Sequence, residues 1–191
     1  IYEMFVRRVP AHRTGLVAGA AGVTWMLVLL MVVPQFTWRA YSDLVQSGRR
    51  DFGNQVVARD DRSFTLGSAP IADAANHLVD DLDRWSRPGE RLFVGTADLS
   101  RTPYSDAYIY HLFPDLEPAT YYIEFDPGVA NAPTSDLAAD VASADWLVLS
   151  HIWDFWDEPN GSSQVGSDLP NIIVREQFCL RGLYDGYLEL Y

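Results

Sequence analysis

Three short apolar runs in this 191-residue chain each end in groups that can do chemistry. Arg91–Gly95 (RLFVG) is followed by Thr96, Asp98 and Arg101. Thr120–Phe125 (TYYIEF) carries Glu124 and leads into Asp126. Trp146–Ser150 (WLVLS) leads into His151 and Asp154. In open parallel sheets, ligands bind beyond the carboxyl ends of the strands, so one group from each of these loops could meet the others. Three carboxylates and an imidazole could hold a hard cation or grip the hydroxyls of a sugar. Aspartates at strand ends also serve as plain turn and cap residues, and that reading stands beside the first. Aromatic side chains gather around the same loops, and HIWDFWDEPN alternates rings with acids. Rings with carboxylates beside them suit carbohydrate, although core packing uses the same residues. The candidate ligand-binding set is Asp98, Arg101, Tyr104, Asp126, His151, Asp154 and Trp156. Arg101 carries the strongest structural alternative. It could pin the loop RTPYSD by pairing with Asp98 or Asp106.

Motifs with tighter chemistry are missing from the sequence. It has no His-x-x-x-His, no cysteine pair, no EF-hand loop, no glycine-rich phosphate cradle and no G-x-S-x-G elbow. Ser150 and His151 are neighbours, and on a strand they would point to opposite faces, which makes a poor nucleophile and base. No metal ligand set, cofactor or catalytic residue is assigned. The net charge of −12 argues against a nucleic-acid partner, which would call for a basic face. Every basic residue is arginine, a composition that suits a GC-rich genome such as an actinobacterial one. The single cysteine, Cys179, allows no internal disulfide and reads as a small buried hydrophobe.

The elements that would position these groups alternate between strand and helix. QVVARDDRSFTLG reads as a hairpin turning at Asp60-Asp61. Ile71–Trp85 places Ile71, Ala74, Ala75, Leu78, Leu82 and Trp85 on one helical face, with Asp73, Asp80, Asp81 and Asp83 facing away. Helices are expected over Tyr104–Phe113, over Ser135–Ala144 with Ser135 as its cap, and over Asn171–Phe178. A last strand is expected over Tyr187–Tyr191. The runs RLFVG and WLVLS are apolar throughout, as strands covered on both faces should be. The expectation is an α/β, Rossmann-like layered domain with a mostly parallel sheet. Its antiparallel edge would come from the early hairpin and the last strand.

Upstream lies an uncharged run of 19 residues, Gly15–Val33. As a helix it would be roughly 28 Å long, near the ~30 Å of a bilayer core. One transmembrane helix over residues 15–34 is therefore expected. A cytoplasmic loop over 1–14 precedes it, and a juxtamembrane linker helix over 35–53 follows. The α/β domain over 54–191 then lies outside the cell membrane. Residues 1–40 carry a net +3 and residues 41–191 a net −15, and the arginines before Gly15 set the orientation.

The ordered segments from RLFVGTADLSRTPYSDAYIYHLF to WLVLS, with WDEPN and the terminal YDGYLELY, resemble the C-terminal extracytoplasmic domain of actinobacterial polytopic membrane proteins. Those proteins are similar to glycosyltransferases of the GT-C class, of the dolichyl-phosphate-mannose–protein mannosyltransferase kind. The resemblance implies a parent that moves a sugar from a polyprenyl-phosphate donor to an envelope acceptor, with this domain assisting acceptor binding. It also implies partners: the lipid bilayer, a preceding bundle of membrane helices, and a carbohydrate or lipid-linked sugar. In that class the catalytic acid lies in an early loop, so no catalytic residue carries over. A non-catalytic, membrane-anchored envelope binding or scaffold domain is the alternative. A self-contained hydrolase using the strand-end carboxylates is a third reading.

Overall fold

The computed structural model describes residues 11–32, 55–102, 104–125, 128–155 and 166–191. The chain divides into two compact units, Ile1–Asp51 and Phe52–Tyr191.

Among the described residues of the first unit, the helix α1 (Ala11–Val32) opens inside the segment expected to be a loop. Among the described residues no helix is long and apolar enough to cross a membrane. The transmembrane helix expected over residues 15–34 is corrected accordingly, and the expected placement at a cell membrane loses its structural ground. The linker helix expected over 35–53 lies outside the described residues.

The second unit is an α/β domain with a mixed five-stranded sheet. Its elements in chain order are β1 (Val56–Arg59), β2 (Arg62–Thr65), α2 (Ala69–Trp85), β3 (Arg91–Thr96), α3 (Tyr108–Leu112), β4 (Glu117–Pro118), α4 (Leu137–Ala142), β5 (Trp146–Ser150), α5 (Leu169–Gln177), β6 (Gly182–Tyr184) and β7 (Leu188–Leu190). The sheet order is β4-β3-β5-β7-β6. The β3 strand pairs in parallel with β4 and β5, whereas β7 runs antiparallel to β5 and β6. The sheet is thus half antiparallel rather than mostly parallel.

Alternation along the strands divides the core between two faces. Leu92, Val94, Val148, Leu188 and Leu190 pack with Ala75, Leu78 and Leu82 of α2 and with Ile109 and Leu112 of α3. Phe93, Leu147 and Leu149 pack on the other face with Leu137 and Val141 of α4 and Val174 of α5. Helices therefore cover both faces, and for this reason RLFVG and WLVLS carry no polar alternation.

Three sequence expectations fail for local reasons. First, the early hairpin forms its own two-stranded sheet and is no edge of the main one. Arg59 holds it against the domain, pairing with Asp83 and Asp115, donating to the Leu112 carbonyl and covering the Phe113 ring at 4.2 Å. Second, TYYIEF is not a strand. The Thr120 hydroxyl accepts from the Tyr122 amide and donates to Asp140, and such local bonding competes with a ladder. Phe125 turns into the left-handed region (φ 52°) and buries its ring beside Phe93. The strand that does form, β4, lies just upstream and has two residues. Third, Cys179 is exposed, not buried.

Smaller shifts concern helix ends. The helix expected from Tyr104 begins at Tyr108. Ser135 donates its hydroxyl to the Ala130 carbonyl, and Asp136 takes the position before α4. The last strand has a partner that the sequence reading missed, β6, joined to it through Asp185 (φ 48°) and Gly186 (φ 73°). Both residues take the left-handed conformation that Asp-Gly hairpin turns require.

Leu78 is fully buried on α2 against the sheet. Leu78→Asp strands an unpaired charge there and should cost about 3 kcal/mol, read as a lowered midpoint in urea unfolding. An unchanged midpoint would place this face outside the core.

Candidate functional site

The connections of the two central parallel strands set the site. From β3 the chain crosses through α3 to β4 on one side. From β5 it passes through α5 to the antiparallel pair on the other. Adjacent strands whose connections leave in opposite directions open a crevice at their carboxyl ends. Here that crevice holds about 300 Å³ and is lined by Thr96, Ala97, Asp98, Arg101, His151, Trp153 and Asp154.

The β3 loop is held from three directions. The Thr96 hydroxyl, nearly buried, lies 2.9 Å from the Asp98 carbonyl and 2.8 Å from that of Arg101, closing the loop on itself. Asn171 of α5 accepts from the Leu99 amide at 2.8 Å and donates to Asp98 at 2.7 Å. Asn131 donates to the Ser100 carbonyl at 2.7 Å. Gly166 passes so close to that carbonyl that a Cβ would overlap it, so glycine is required there.

Asp98 is partly buried, which alone would raise its pKa. Hydrogen bonds from Ser100 and Asn171, with the charge of Arg101 nearby, outweigh that and hold it below the ordinary aspartate value. Asp98 therefore stays ionised. Arg101 donates to the Asp154 carbonyl at 3.1 Å, which ties the β3 loop to the β5 loop, and its charge acts on Asp98, one of the two partners expected for it.

The β5 loop is organised by His151. Its Nδ1 lies 2.7 Å from Asp154 and its Nε2 3.2 Å from Glu189 of β7. Partial burial opposes the imidazolium, but the bonds to Asp154 and then Glu189 prevail, and the pKa is raised. Trp153 offers a ring wall and packs against Tyr104 at 5.1 Å between centroids. Beside Trp153 and Ser150, Asp106 is 5 % exposed, and burial pushes its pKa up despite hydrogen bonding to both neighbours. Ser150 is buried, turned away from the crevice that His151 lines.

Four of the seven candidate residues, Asp98, Arg101, His151 and Asp154, thus line one crevice, and Tyr104 packs against Trp153, which lines it too. Asp126 and Trp156 lie outside the described residues. Sequence reasoning missed Glu189 and Asn171 as partners of this set. Glu189 is brought in by the antiparallel return of β7 and Asn171 by the packing of α5, and neither has a local signal. Among the described residues no cluster of three or more His, Cys, Asp or Glu could hold a metal ion.

A raised histidine pKa stabilises the fold below the unfolded value of 6.5, and the contribution is lost as pH rises through the folded value. The melting-temperature gap between the natural chain and His151→Gln should therefore be widest near about pH 5.5 and shrink toward about pH 9. A gap that widens with pH would mean a neutral His151.

No protein-family model matches the chain, and neither a curated protein nor a solved structure does.

Proposed function

We propose that the α/β unit binds carbohydrate in the crevice between β3 and β5, serving a glycosyltransferase-like parent protein by holding its sugar acceptor. The observation that carries this reading is the make-up of the crevice. One tryptophan wall stands beside groups of both charges: Asp98 and Asp154, Arg101 and the His151 imidazolium. A sugar presents an apolar CH face to stack on a ring, and each hydroxyl both donates and accepts. A mixed, nearly charge-balanced lining matches that better than a ligand of strong single charge. The volume lies at the small end of ordinary ligand sites.

Binding rather than bond cleavage is the role these groups suit. A histidine acting as general base needs a free ring nitrogen, and both nitrogens of His151 face carboxylates. The imidazolium so held can only donate. Asp98 likewise spends its Oδ1 on Ser100 and Asn171, which fixes the orientation of the carboxylate.

Calorimetric titration with glucose, mannose, galactose and their methyl glycosides tests the reading. At least one hexose should bind, and Trp153→Ala should weaken it by about tenfold or more, equal to about 1.4 kcal/mol. No binding by any hexose or hexose oligomer would overturn it.

A further inference from the structure

A second crevice of about 380 Å³ lies on the α5 side of the same β3 loop, with Asp168, Asn171 and Arg175 from α5 and its approach, and Tyr191 from the chain end. It shares Ala97 and Asp98 with the first crevice. We propose that the two are subsites of one groove, and that the ligand is an oligosaccharide of at least two sugar units crossing the loop at Ala97-Asp98. The inference rests on the carbohydrate reading above and extends it from a sugar to a chain of sugars.

Two physical links join the subsites. Glu189 is the first. Its Oε1 lies 3.2 Å from His151 Nε2 in the first crevice, and its Oε2 accepts from the Tyr191 hydroxyl at 2.8 Å in the second. One carboxylate thus orients a donor in each. Asp98 is the second link. It lines both crevices, and its Oδ1 takes hydrogen bonds from Ser100 and Asn171 on the α5 side.

The chemistry of the two crevices is also alike. The second pairs Arg175 with Asp168 at 3.3 Å and adds an amide and a ring, so it too presents both charges and an aromatic edge. Arg175 keeps most of its side chain exposed and its partner is on the surface, so its fork can turn to a hydroxyl pair. Repeated polar chemistry on two sides of one short loop is what a chain of similar units needs. A ligand of one unit would use only one side.

The test is titration of the full chain with gluco- and manno-oligosaccharides of one to four units. Affinity should rise about tenfold or more between one unit and two or three, and level off once both crevices are filled. Arg175→Ala, a surface change away from the first crevice, should remove that gain while leaving the affinity for the single unit unchanged. Asp168→Asn serves as a second variant and should act in the same direction. Equal affinity at every length, or a gain that survives Arg175→Ala, would overturn the two-subsite groove and leave single-sugar binding standing. Failure of every sugar to bind would overturn both.

Discussion

The parallel pairing of β3 with β5 is the constraint on which the rest of this domain depends. Five residue pairs, from Leu92–Trp146 to Thr96–Ser150, bring two carboxyl ends to the same level. Helices on both faces leave those strands no solvated side, so their polar groups can appear only past the ends. The loops that follow must then diverge, one toward β4 and the other toward α5. A crevice between them is a consequence of connectivity, and the side chains along it are those that loop residues supply.

Keeping that crevice open is a hydrogen-bonding problem. Loop 97–101 turns several backbone groups inward, and each needs a partner. Thr96, Asn131 and Asn171 supply them from three separate elements, while Gly166 yields the space. On the facing side His151 is clamped by a carboxylate from its own loop and another from β7. Side chains held from behind lose little freedom when a ligand arrives, which lowers the cost of binding. The same logic applies to Asp106, a buried carboxyl whose hydrogen-bonding neighbours are Ser150 and Trp153.

Much of this was legible in the sequence, and the remainder was not for identifiable reasons. Continuous apolar runs revealed β3 and β5, and helical spacing of Ala75, Leu78 and Leu82 revealed α2, because both signals are local. The polar residues after β3 and β5 could be named as a set, since strand ends are where such groups must emerge. TYYIEF misled because its β-prone composition says nothing of Thr120 bonding to Asp140, a contact 20 residues away. Glu189 was invisible as a partner of His151 because 38 residues separate them and only the antiparallel return of β7 joins them. The Asp185-Gly186 turn did carry a signal for the β6–β7 hairpin, and a reading of that dipeptide would have found it. The apolar run near the start was legible as a helix, and α1 covers most of it, but among the described residues no helix is long and apolar enough to cross a membrane.

The proposed ligand site is one groove at the carboxyl ends of β3 and β5. Residue-resolved amide shifts of the full chain, followed while a gluco- or manno-trisaccharide is added, test it most directly. Saturable shifts are expected at Ala97, Asp98, His151 and Trp153, with the largest at the shared Ala97-Asp98 pair. Shifts confined to the separate crevice lined by Arg84, Trp85, Trp146 and Arg181, or no shifts at all, would contradict it.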